Sequence, residues 1–399
     1  MLSAAERLAA LAGPTVRLNP DRCLYASDRF ATCAACQDLC PAGAISAAKP
    51  PQLDGDACAG CLACLPACPV GAFSGNDAVA VLLASAARAE TRSFELICEK
   101  HPRPGEGLDQ RSVGLRVRGC LAGLGAGAYL ALVAQGAERV VARADACANC
   151  PWGSLQHRID AQVQQAQQLL AGLGRGAVVS MQVQPLETGI ARAVQDTQHP
   201  PVSRRDLFRR LTQQARVVTS RAWTVDEPEV AARAPGRDRR RTAQAAAFFS
   251  NDTACKPPAA PALAGSDWAI LAAAPACTAC GACARACPTG ALRLDQDAGG
   301  HFTLLFIPVA CVGCEACLHV CAPAALTLDH TPAFKQVFGN TVQTLCSGEL
   351  VRCDRCGASM AARPGETLCT VCEQRRQNPF GQHLPPGLRD AHLRVERRQ

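Results

Sequence analysis

Twenty-six cysteines stand in a chain of 399 residues, and most fall into runs whose spacing suits metal–thiolate chemistry better than disulfides. CTACGACARACP begins at Cys277 and CVGCEACLHVCAP at Cys311. CAGCLACLPACP begins at Cys58, and CAACQDLCP begins at Cys33 with Cys23 upstream. In the spacing Cys-x2-Cys-x2-Cys-x3-Cys, three thiolates cap one iron–sulfur cube and the fourth reaches the neighbouring cube. Crossing the ligands this way groups Cys277, Cys280 and Cys283 with Cys321, and Cys311, Cys314 and Cys317 with Cys287. It also groups Cys58, Cys61 and Cys64 with Cys40, and leaves Cys23, Cys33, Cys36 and Cys68 as the fourth set. Nine residues separate Cys23 from Cys33 where the pattern has two. Either an inserted loop returns Cys23 to the cube, or the site is a labile or three-iron centre.

Two ladders in tandem make a dicluster ferredoxin lobe, and the arrangement occurs twice, so four [4Fe-4S] clusters are expected. Ten further cysteines lie outside the ladders. Cys98, Cys120, Cys147 and Cys150 fall after apolar, strand-like runs in the middle of the chain. Loops after successive parallel strands gather at one sheet edge, where four thiolates could hold a [2Fe-2S] cluster. Cys353 and Cys356, then Cys369 and Cys372, form two Cys-x2-Cys knuckles about a short hairpin. That spacing suits one structural zinc ion, and a rubredoxin-like single iron would need the same four thiolates. Cys255 and Cys346 are left over as bystanders. Gly119 and Gly123 flank Cys120 in GCLAGLGAG, a loop that could cradle phosphate. No acidic ribose-binding residue follows in the expected place, so the favoured reading is that these glycines let backbone N–H groups approach cluster sulfur.

The elements that must position these groups follow from pattern. CPAGAI, CPVGAF, CPTGAL and CAPAAL begin at Cys40, Cys68, Cys287 and Cys321, and each leads through a turn into a short apolar strand. The last copy moves its proline to Pro323, which would loosen the turn. Between the cysteine-rich ends, strand-like runs at Val113–Arg118, Arg139–Ala144 and Ala177–Val183 alternate with helices near Tyr129–Ala137 and Leu155–Leu170, which argues for a parallel α/β domain. The expected organisation is α+β and multi-domain. A dicluster lobe spans 1–80, the α/β cysteine domain 85–190, and a flexible Arg/Ala/Pro-rich linker 191–265. A second dicluster lobe spans 266–335 and a zinc-ribbon-like knuckle 340–375, followed by a tail over 376–399.

Residues 92–175, with LICEKHP and LRVRGCLAGLGAGAYLALVAQGAERVVARADACANCPWGS, resemble the delta subunit of methyl-viologen-reducing hydrogenase. This chain has CANCPWGS where that family carries a longer cysteine cluster and a Cys-His-Tyr element. The resemblance implies electron transfer between a hydrogenase and a heterodisulfide-reductase-like partner. From SRRDLFRR at Ser203 onward the chain resembles accessory ferredoxins associated with formate dehydrogenases and nitrate reductase. The arginine pair is internal and precedes a polar segment, so it reads as a linker helix rather than an export signal.

The formal charge is +7, but four four-iron cubes with their thiolates carry about −8 by ligand counting, so basicity gives no case for nucleic acid. The apolar stretch around Leu115 to Val141 is broken by Arg116, Arg118, Gln135, Glu138 and Arg139, and no transmembrane segment is expected. Free thiols suit a reducing cytoplasm. His157, His301 and His319 lack a partner pattern. No acid–base pair or nucleophilic triad argues for a catalyst. The expected function is electron relay between a donor oxidoreductase (hydrogenase, formate dehydrogenase or similar) and a partner reductase. The other reading is an accessory protein for maturation of a molybdenum enzyme.

Overall fold

A computed structural model describes residues 16–75, 78–184, 191–198, 233–250, 263, 268–339 and 342–378. The chain divides into two compact units. The first comprises Met1–Ala26, Cys33–Val230 and Gly236–Pro261; the second comprises Ser27–Thr32, Ala231–Pro235 and Ala262–Gln399. Helices, antiparallel ribbons and one parallel sheet make the architecture α+β. Among the described residues no helix is long and apolar enough to cross a membrane.

The first unit is built on a five-stranded parallel sheet in the order Val179–Gln182, Arg139–Arg143, Ser93–Cys98, Val113–Val117, Val194–Asp196. Phe94, Leu96 and Ile97 on the central strand are buried without alternation, as expected for a parallel strand covered on both faces. Helices Ala78–Arg88, Ala126–Ala134 and Gln156–Gly172 form part of that cover. The N-terminal cysteine-rich segment of the same unit pairs Val16–Leu18 with Phe73–Gly75 in an antiparallel ribbon.

The structure departs from the flexible linker expected over 191–265. Val194–Asp196 is an edge strand of the sheet, and Arg237–Ser250 is a helix lying on Ala126–Ala134. The remainder of that interval, apart from a few residues, lies outside the described residues, as does the SRRDLFRR motif. The helix RDRRRTAQAAAFFS is polar by composition, yet Arg241, Thr242, Ala245, Ala246 and Phe249 are buried. Their spacing is that of one helical face. The Asp238 carboxylate accepts the Gly127 N–H at 2.9 Å, at the start of Ala126–Ala134. It therefore caps one helix from another, in the position where a carboxylate is favoured. A Cβ on Gly127 would sit 2.5 Å from the Asp238 carbonyl oxygen, so only glycine permits this approach. Burial pushes the Asp238 carboxyl up to about 6, against the opposing pull of Arg241.

In the second unit, Ile270–Ala273 pairs antiparallel with Leu326–Asp329. A four-stranded antiparallel sheet runs Ser359–Ala361, Gln343–Arg352, His301–Phe306, Leu292–Gln296. Leu271, Leu292, Leu304, Phe306 and Leu326 form the core between the two layers. The segments expected as separate domains at 266–335 and 340–375 thus share one sheet, because Gln343–Arg352 pairs with both His301–Phe306 and Ser359–Ala361. The knuckle has little apolar core of its own, and the long strand supplies its anchorage.

Candidate metal centres

Each ladder folds as a short loop followed by one turn of helix, and the cysteines converge in the crossed order. One cavity of about 380 Å³ is lined by Cys277, Cys280, Cys283 and Cys321. A second, of about 350 Å³, is lined by Cys287, Cys311, Cys314 and Cys317. A third, of about 380 Å³, is lined by Cys23, Cys33, Cys36 and Cys68, so the inserted loop does bring Cys23 to the other three. Cys40, Cys58, Cys61 and Cys64 form the fourth group, since the first three raise the thiol of Cys64 or Cys61 electrostatically. Otherwise apolar walls and four sulfurs per cavity fit a cuboidal cluster.

The local backbone explains the convergence. Residues on both sides of the second ladder cysteine are left-handed in three copies: Gly60 and Leu62, Ala279 and Gly281, Gly313 and Glu315. This turns successive amides inward, the geometry of an anion nest. After the last cysteine, the amide four residues on donates to sulfur: Ala44 to Cys40 at 3.3 Å, Ala72 to Cys68 at 3.1 Å, Ala325 to Cys321 at 3.3 Å. The displaced Pro323 does not loosen its turn, because Ala324 takes the left-handed conformation that Gly43, Gly71 and Gly290 take in the other copies.

Burial, then neighbouring sulfurs, push the unmetallated thiols up: Cys36 to about 12, with Cys68, Cys33 and Cys23 contributing, and Cys283 and Cys314 each to about 11. Four thiolates cannot share such a space without cationic charge among them, so metal binding must release protons.

The fifth group lies at the C-terminal edge of the parallel sheet. Cys98 ends the central strand, Cys120 follows Val113–Val117, and Cys147 and Cys150 follow Arg139–Arg143. The thiols are mutual neighbours: Cys98 is raised by burial and by Cys150, and Cys147 reaches about 11 through burial, Cys98 and Cys150. Burial carries Cys120 to about 12, with Cys98 and Cys147 adding to it. The amides of Lys100 and His101 approach Cys98, Ala122 approaches Cys120, and Trp152 N–H lies 3.4 Å from Cys150 Sγ. The amides of Gly119 and Gly123 themselves are engaged elsewhere, while that of Ala122 between them approaches the Cys120 sulfur. The Gly119 amide donates to Glu99 Oε2 at 2.8 Å and the Gly123 amide to the Cys120 carbonyl at 2.9 Å. What the two glycines provide is room, since a Cβ on either would press on Cys61 and Leu62.

Beneath this edge runs a buried charge network that pattern reading missed. Arg143 Nη1 lies 3.1 Å from Glu95 Oε2, and Arg143 Nε lies 2.8 Å from Asp145 Oδ1, which shares its carboxylate with His101 Nε2 at 3.3 Å. Burial alone would raise Asp145, but Arg143 and His101 hold it well below the usual carboxylate range. The signal was present as single charged residues inside the apolar runs SFELIC and RVVARADAC.

In the second unit, the sulfurs of Cys353, Cys356, Cys369 and Cys372 all lie within 4.8 Å of one another. Cys356 and Cys369 Sγ are 3.7 Å apart, close to the edge of about 3.8 Å for a thiolate tetrahedron around zinc. The Cys369 N–H donates to Cys353 Sγ at 3.2 Å; this contact, with the amides of Cys356 and Arg355, lowers the Cys353 thiol to about 6. Cys346 sits beside Cys277, and burial together with a hydrogen bond to Cys277 raises it to about 12. Cys255 lies outside the described residues. His157 contacts the Ser154 carbonyl, His301 pairs with Asp297, and His319 with Asp28.

No curated protein matches the chain. The family model for the 4Fe-4S dicluster domain matches residues 276–325, the segment that carries the two crossed cysteine sets of the second unit. Residues 276–325 thus belong to an iron–sulfur domain of ferredoxin type.

Proposed function

We propose that the chain is a multi-cluster electron relay. Four [4Fe-4S] clusters occupy the four crossed cysteine sets. A [2Fe-2S] cluster sits on Cys98, Cys120, Cys147 and Cys150, and a structural zinc ion on Cys353, Cys356, Cys369 and Cys372. The observation that carries this reading is the convergence of ladder cysteines from different turns, three of the four sets lining a four-sulfur cavity. Clusters kept a short distance apart within a unit pass single electrons, and the residues around them set potential through amides, burial and charge. The donor is a hydrogenase, formate dehydrogenase or similar oxidoreductase, and the acceptor a heterodisulfide-reductase-like subunit. The chain acts as their non-catalytic subunit in a reducing cytoplasm, where thiols stay available for metal.

The test is a mediated redox titration of the anaerobically reconstituted full chain, followed by EPR, with stopped-flow reoxidation by a viologen dye. A relay gives reversible one-electron steps and reoxidation within the usual turnover range of about 1–10³ s⁻¹. Centres that accept electrons but are not reoxidised on that scale would favour an accessory role in maturing a molybdenum enzyme.

A further inference from the structure

Leu62 stands in a conformation that its side chain does not favour. Its φ is +66°, in a region where a bulky residue is an outlier and where strain points to a function. The equivalent positions in the second unit hold Gly281 and Glu315. Gly281 takes the turn without strain and Glu315 is partly exposed, so the turn itself does not call for a large apolar residue there. Leu62 is 1% exposed. What buries it is the loop after Val113–Val117: a Cβ on Gly119 would meet Leu62 Cγ at 3.1 Å, and one on Gly123 would meet Leu62 Cβ at 2.9 Å. Next to this contact the Cys120 N–H donates to the Cys61 carbonyl at 3.0 Å. Cys61 belongs to the Cys40, Cys58, Cys61, Cys64 group and Cys120 to the sheet-edge group.

We propose that Leu62, seated on Gly119 and Gly123, is the positioning residue of an electron-transfer junction in which the Cys61 carbonyl and Cys120 amide join two iron–sulfur centres. This rests on the reading above that both groups hold clusters. Gly119 and Gly123 are then explained by the approach of the other centre's backbone. One side chain clamps a single hydrogen bond between a ligand of each cluster, and the distance between centres is fixed by packing rather than by a covalent link.

The test uses the reconstituted full chain carrying Leu62→Gly, which keeps the left-handed backbone comfortable while removing the clamp, and Gly123→Ala, which pushes on Leu62 from the other side. Both leave every cysteine in place. Iron content should match the parent chain. Hydrogen exchange at the Cys120 amide should rise about tenfold or more, and magnetic broadening between the two reduced centres should fall in EPR. Leu62→Met, which retains apolar bulk, should behave like the parent. Unchanged exchange and unchanged broadening in both Leu62→Gly and Gly123→Ala at full iron content would overturn the junction while leaving the relay intact. A parent chain with no iron at the sheet-edge group would instead sink the two-centre reading, and the junction with it.

Discussion

Replacing Cys280 by serine should remove about four iron atoms per chain and loosen the fold around residues 270–330. Cys280 is exposed and its set otherwise faces Leu294, Leu304, Ala325 and Leu326 across the cavity. An oxygen for a sulfur at an exposed position costs little sterically, so the effect isolates ligation. Without the cluster, the cavity is left to three protonated thiols, the serine hydroxyl and apolar walls, and the pairing of Ile270–Ala273 with Leu326–Asp329 loses its covalent template. Metal-binding free energy is here folding free energy. Cys346→Ser, one sulfur away from Cys277 but outside the crossed set, should keep the iron. Iron and acid-labile sulfide analysis with amide exchange over the two strands would check both. Equal losses from Cys280→Ser and Cys346→Ser would overturn the crossed assignment.

Arg143→Leu should cost about 3–5 kcal/mol of stability, since removing one member of a buried charge network leaves the others unpaired. Arg143 and Glu95 are each almost fully buried, and Asp145 nearly so. In the parent chain Asp145 is held low, so its contribution is present above the ordinary carboxylate pKa near 4 and is lost as pH falls below it. Without the guanidinium, burial dominates and the sign reverses: the variant should gain stability relative to the parent as pH falls from 7 toward 5. Arg143→Lys keeps the charge but not the two-sided fork, and should lie between. Denaturant titrations at pH 7 and pH 5.5 would read the difference. A variant that loses less than about 1 kcal/mol at pH 7 would show that the network is solvated.

The convergence of the ladder cysteines was legible because ligand spacing is local. Three of the five strands of the parallel sheet could be placed to within a residue or two, since apolar runs and their helical partners follow one another along the chain. What could not be read was contact between distant segments. Asp238 caps a helix more than a hundred residues earlier, and its own helix shows only a five-residue buried face amid arginines. Glu95 and Arg143 come from neighbouring strands 48 residues apart in sequence. The close approach of Cys61 and Leu62 to Gly119 and Gly123 was hidden for the same reason. The return of Cys23 to Cys33, Cys36 and Cys68 likewise depends on how an inserted loop folds.

The central claim is that each converged cysteine set holds its own metal centre, and the most direct test is a metal count. Anaerobically reconstituted full-length protein should contain about 18 iron atoms, with matching labile sulfide, and about one zinc per chain. A reproducible value near eight iron atoms per chain, the content of about two four-iron clusters, would contradict the account, because at least two cysteine sets that the fold draws together would then stand without a cluster.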